Sequence, residues 1–152
     1  MNRVALIVLL AFVGTAARAA DPAADELKKL QGEWQAVELE VKGQKLGKNN
    51  PEVENMRFVF KDDELTVKSA AGAGERKKTF KLDPTKTPRE IDITSLDGQE
   101  KDTTAACIYK FEKDRLTICM PYFKDSTDRP KEFKAGADDG RMLITLERVK
   151  LK

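Results

Sequence analysis

Cys107 and Cys119 are the only thiols in the 152-residue chain, and no histidine accompanies them. A cysteine acts as nucleophile or metal ligand as its thiolate, which needs an imidazolium, a basic cluster or a metal beside it. Neither cysteine has such a neighbour in sequence, and two cysteines without histidine do not close a zinc site. General acid/base catalysis near neutral pH most often uses imidazole, so it would need substitutes here. No G-x-S-x-G, P-loop or dinucleotide-binding glycine pattern is present. The expectation is a non-catalytic protein without cofactor or metal. Asp125-Ser126-Thr127-Asp128 and Asp138-Asp139-Gly140 offer oxygens to Ca²⁺, but neither has the spaced pattern of a dedicated loop, and solvated turns are expected. Glu33, Glu38 and Glu40 fall on or near one strand with nothing to make them an acid and base pair.

The chemistry left to the two thiols is pairing with each other, and the register between their strands decides it. If Phe111 faces Leu116, then Cys107 faces Met120 from inside while Cys119 points outward beside Thr117, and no bond forms. A three-residue loop instead sets Cys107 opposite Cys119, where a cross-strand disulfide fits sterically. An even cysteine count in an exported chain favours the bridge, and the apolar pattern opposes it. Both remain open at this level.

The second chemistry is apolar binding. Phe58, Phe60, Tyr109, Met120 and Tyr122 share inward-facing parity or stand beside it, and they are the candidate lining of an internal ligand site. Tyr109 draws particular interest, because an inward phenol needs a hydrogen-bond partner that a bound molecule or water can supply. The cations around Arg76-Lys77-Lys78 are balanced by nearby acids and are assigned to an outer face.

The elements that must position these residues are mostly strands. Met1 to Ala19 reads as a secretory signal peptide: Arg3 is the positive start, Val4 to Val13 the apolar run, and Ala17-Arg18-Ala19 the small-x-small cleavage site. The run is too short for a spanning helix, so no stable membrane insertion is expected after cleavage. Arg3 and Arg18 account for the chain's positive excess, so residues 20–152 carry 26 basic and 26 acidic side chains. Such balance offers no stripe for a phosphate backbone and argues against nucleic acid as a partner. An exported location, periplasmic or extracellular, and a single domain over residues 20–152 follow.

Asp21 and Pro22 suit the N-cap and first residue of a short helix ending at Lys29 or Leu30. Gly32 ends it, and Trp34, the only tryptophan, enters the first strand. Trp34 has the opposite parity from Val37, Leu39 and Val41, which predicts a bulge between Trp34 and Val37 or a looser position at a barrel end. Gly43 to Asn50 reads as a polar loop, with Asn50-Pro51 capping a helical turn through Glu54. Alternating runs follow at Met56-Phe58-Phe60, Leu65-Val67, Phe80-Leu82, Ile91-Ile93, Cys107-Tyr109-Phe111, Leu116-Ile118-Met120 and Ile144-Leu146-Arg148, with a short extra strand at Lys131 to Lys134. Phe60 to Val67 and Phe111 to Ile118 repeat one hairpin formula: an aromatic residue, four charged residues, then Leu-Thr-aliphatic. Eight or nine short strands and one helix favour an all-β, antiparallel barrel over a two-sheet sandwich, because closure removes exposed edges.

Asp25 to Trp34, Leu82 to Lys86, Ile91 to Thr94, Ile108 to Phe111, Leu116 to Cys119 and Arg129 to Phe133 resemble, in this order, a lipocalin-like domain family abundant in planctomycete bacteria. Gly32-x-Trp34 is also similar to the opening signature of lipocalins proper, although no Thr-Asp-Tyr turn follows mid-chain. The resemblance implies a small lipocalin-like barrel with an internal cavity and no assigned activity. It also implies that Arg148 stacks on Trp34 as a closing cation. The functional expectation is an exported carrier of a small apolar or amphipathic molecule. The alternative is an interaction module with a filled barrel that binds an envelope or extracellular protein.

Overall fold

The computed structural model describes residues 20–69, 74–122 and 128–150. The signal-peptide reading of residues 1–19 and most of the Asp125 to Asp128 cluster lie outside them. Helix α1 (Pro22–Leu30) starts as its sequence dictates: Asp21 accepts a hydrogen bond from the Ala23 amide at 3.0 Å, and Pro22 takes a first-turn position where its missing N–H costs nothing. Nine strands follow among the described residues: β1 (Gly32–Val41), β2 (Gln44–Gly47), β3 (Arg57–Lys61), β4 (Glu64–Lys68), β5 (Glu75–Asp83), β6 (Arg89–Ser95), β7 (Thr104–Glu112), β8 (Arg115–Pro121) and β9 (Arg141–Arg148). The single-turn helix α2 (Pro51–Glu54), capped by Asn50, joins β2 to β3.

Sequential antiparallel pairing from β3 to β9, with β1 pairing both β3 and β9, closes eight strands into a barrel. That closure excludes the sandwich. The ninth strand corrects one expectation, because Gln44 to Gly47 is not loop: it pairs with the second half of β1, opposite Glu38 to Val41. Strand β1 thus gives one edge to β9 along most of its length and divides the other between β3 and β2. Where β3 and β2 part, α2 fills the seam: Val53 is fully buried, and the Gln35 side-chain amide donates to the Val53 and Glu54 carbonyls at 3.2 and 2.9 Å. The predicted bulge is present, since the β1 to β9 register skips Val37. It lets Trp34, Ala36 and Leu39 all face inward despite their broken parity.

The two like hairpins fold alike. Phe60 pairs with Leu65 and Phe111 with Leu116, each closed by a charged pair, Lys61 with Glu64 and Glu112 with Arg115, around a two-residue turn. Asp62 and Lys113 take the left-handed conformation that such turns require.

Residues Lys131 to Lys134 form no strand. Residues 128–137 instead run over the outside of the barrel wall. The Arg129 guanidinium donates at 2.6 Å to the Cys107 carbonyl and at 2.6 Å to Asp92, and lies 3.4 Å from Glu90. Pro130 and Ala135 are buried by this crossing. So are the outward-facing side chains beneath it, Ile108, Thr117 and Cys119.

Candidate functional site

One end of the barrel is sealed, and α1 is the seal. The Trp34 indole is buried and donates from Nε1 to the Leu30 carbonyl at 2.8 Å, fixing the ring under the helix. The Arg148 guanidinium stacks 4.3 Å from the Trp34 ring centre. It also donates to the Gln31 carbonyl at 2.6 Å and to the Lys29 carbonyl, so one cation serves as ring cover and as cap of the helix C-terminus. Gly32 makes this possible: at φ +112° it holds a conformation that side chains resist, and a Cβ there would stand 3.1 Å from Arg148 Nη1.

The same helix is tied to the wall at two further places. Gln31 exchanges two hydrogen bonds with the Asp62 backbone, at 2.7 and 3.1 Å, in the β3 to β4 turn. Glu26, buried on the inner side of α1, accepts from Tyr109 Oη at 3.1 Å, from Lys29 at 2.9 Å and from Arg89 at 3.4 Å. A buried carboxylate is tolerated where charged donors surround it. Burial, then the adjacent Glu26 charge, pushes the Tyr109 phenol well above its ordinary range, so it stays a neutral donor.

The partner expected for Tyr109 is therefore a side chain of the protein. Tyr109 does not line a ligand space, and neither does Phe60, which packs edge-on against Phe80 at 5.3 Å within the core. Both belong to the sealed end. Phe58, Met120 and Tyr122 line a cavity of about 270 Å³ at the opposite end. Met56, Leu65, Val67, Ile93, Ala105 and Met142 complete most of its apolar wall, and the 44% exposed Tyr122 stands at its opening. All three methionines of residues 20–152 line this one space.

Lys78 lines it too, which corrects the assignment of the Arg76-Lys77-Lys78 run to an outer face at that one residue, while Arg76 and Lys77 are exposed. Lys78 pairs with Leu65 on one side and Ser95 on the other, both buried. The signal was available: Lys78 lies two residues before Phe80 and four before Leu82, on the inward parity of its strand. Its ammonium donates to Ser95 Oγ at 2.6 Å and stands 3.8 Å from Glu100.

Cys107 and Cys119 are free thiols, so the disulfide is not formed. The register explains it: with Phe111 opposite Leu116, Cys119 falls opposite Ile108 and points away from Cys107. Burial pushes the Cys107 thiol up to about 12 and raises Cys119 as well, so both are protonated and poor nucleophiles at neutral pH. Asp139 is occupied as a turn cap, accepting from the Gly136 and Arg141 amides at 2.6 and 3.0 Å. Glu33 and Glu38 make cross-strand ion pairs with Arg57 and Lys45.

No family model, curated protein or solved structure matches the chain. The site's own geometry therefore carries the functional reading.

Proposed function

We propose that this protein is an exported, non-catalytic carrier that holds a small apolar or amphipathic molecule in the open end of its barrel. The supporting observation is the cavity opposite the Trp34 seal, whose wall gathers Met56, Met120 and Met142 around about 270 Å³. Unbranched, polarisable methionine side chains repack around differing shapes and recur at adaptable binding surfaces. The volume stands near the lower end of the ~300–1,000 Å³ common for ligand pockets, which suits a single short chain or one ring system. The cavity weighs against the reading in which the barrel is filled and only its loops bind an envelope protein. Export rests on the sequence of residues 1–19, and the lipocalin-like resemblance adds a small barrel with an internal cavity but no assigned activity.

The test is methyl NMR with ¹³C-labelled methionine, titrating 1-decanol into residues 20–152. All three methionine methyl resonances are expected to shift together and saturate. Unmoved resonances at the solubility limit of the alcohol would remove the carrier reading.

A further inference from the structure

We propose that Lys78 is the headgroup anchor of this cavity and that the cargo is a monoanionic amphiphile, its tail among the methionines and its headgroup taking the place of Glu100 at the Lys78 ammonium. The inference rests on the carrier reading and sharpens it.

Among the described residues, Lys78 and Glu100 are the only charged side chains that line the cavity. They are not equivalent. The Lys78 side chain is 20% exposed and is flanked by the buried Leu65 and Ser95, whereas the Glu100 side chain is 58% exposed and reaches in from the turn after β6. The inner charge, the one a tail in the cavity would bring its headgroup against, is therefore positive. An ammonium has three donors. Lys78 spends one on Ser95 at 2.6 Å, and its contact with Glu100, at 3.8 Å, is longer than a hydrogen bond. A mostly desolvated cation with a donor to spare gains from a second, closer anion. Ion pairs made with a solvent-exposed carboxylate are weak, so Glu100 is easily displaced.

The surroundings on the outer side of Lys78 fit this role. A second recess of about 230 Å³ is lined by Arg76, Lys78, Asp97, Gly98, Gln99 and Glu100. Its cations and acids balance, and Asp97 is held by the Lys77 amide at 3.0 Å, outside the apolar cavity. Glu100 thus has a polar place to swing into when a headgroup arrives.

Calorimetric titration of residues 20–152 with decanoate, 1-decanol and decylamine at pH 7.5 tests the assignment. Decanoate is expected to bind about ten-fold more tightly than decanol, and decylamine more weakly than both. Lys78→Met should abolish the decanoate advantage, bringing the ratio of decanoate to decanol affinity to one or below. Glu100→Gln should strengthen decanoate binding several-fold by removing the competing carboxylate. Equal binding of decanoate and decanol by the unaltered protein, a preference for decylamine, or a decanoate advantage that survives Lys78→Met would each overturn the anchor while leaving the carrier standing. Binding of none of the three would overturn both.

Discussion

At one end of the barrel Trp34, Phe60, Tyr109 and Phe111 fill the interior beneath α1; at the other, Met56, Met120 and Met142 surround about 270 Å³ of space. The walls are the same strands throughout, so the difference lies in what they carry inward. Rigid aromatic rings meet at the sealed end, Tyr109 and Phe111 edge to face at 5.9 Å and Trp34 tilted against Phe111 at 6.2 Å. The open end has flexible thioethers, short side chains such as Ala105 and Ser95, and one ammonium. The sealed end also has hydrogen bonds and ion pairs from three parts of the wall converging on one helix. Stability and vacancy are thus separated along the barrel axis, and a site can be kept loose because the far end is tight.

Three substitutions test that separation. Trp34→Ala should cost about 3–5 kcal/mol, the range for truncating a large buried aromatic residue. It also strips the ring from under Arg148 and the donor from the Leu30 carbonyl. Urea melts give the number, and a midpoint close to that of the unaltered protein would mean the indole is no plug. Arg148→Ala should cost less, about 1–2 kcal/mol, because it removes the stacking and the charged cap of α1 but leaves the indole buried. A loss equal to that of Trp34→Ala would make the guanidinium, and not the ring, the main closure. Ala105→Phe at the open end should change stability by about 1 kcal/mol or less, since the new ring enters existing space. It should nevertheless weaken decanol binding at least ten-fold in the methionine-methyl titration. A large stability loss without a binding loss would place the vacancy elsewhere.

Much of this arrangement is legible in the residues. Asp21-Pro22, the two charged hairpins, the broken parity after Trp34 and the alternating runs each name a local geometry that the structure contains. Closure was less direct: it follows from counting strands and disposing of edges. Strand β2 escaped because Gln44 to Gly47 has only Leu46 as an apolar residue, and it is strand because the edge of β1 beyond β3 offers a free ladder. Lys78 faces inward because period two along β5, and not the charge of the run around it, sets which way a strand residue points. Tyr109 and Glu26 are 83 residues apart, and no local pattern announces that a helix residue will supply the phenol's acceptor. The cover over Cys119 was equally non-local. A hint lay in Cys107-Ile108-Tyr109, three consecutive largely apolar residues in one strand, since a strand apolar on both faces must be covered on both.

The pairing of β1 with β9 also fixes an orientation. Helix α1 lies across the sealed end, and the Val149 amide donates to the Glu33 carbonyl at 2.9 Å beside it. The polypeptide therefore enters and leaves the barrel on one side, away from the methionine-lined opening. A leash joined directly at residue 20 or residue 150, whether a fusion partner, a resin or an affinity tag, would meet the molecule at its closed floor, opposite the doorway.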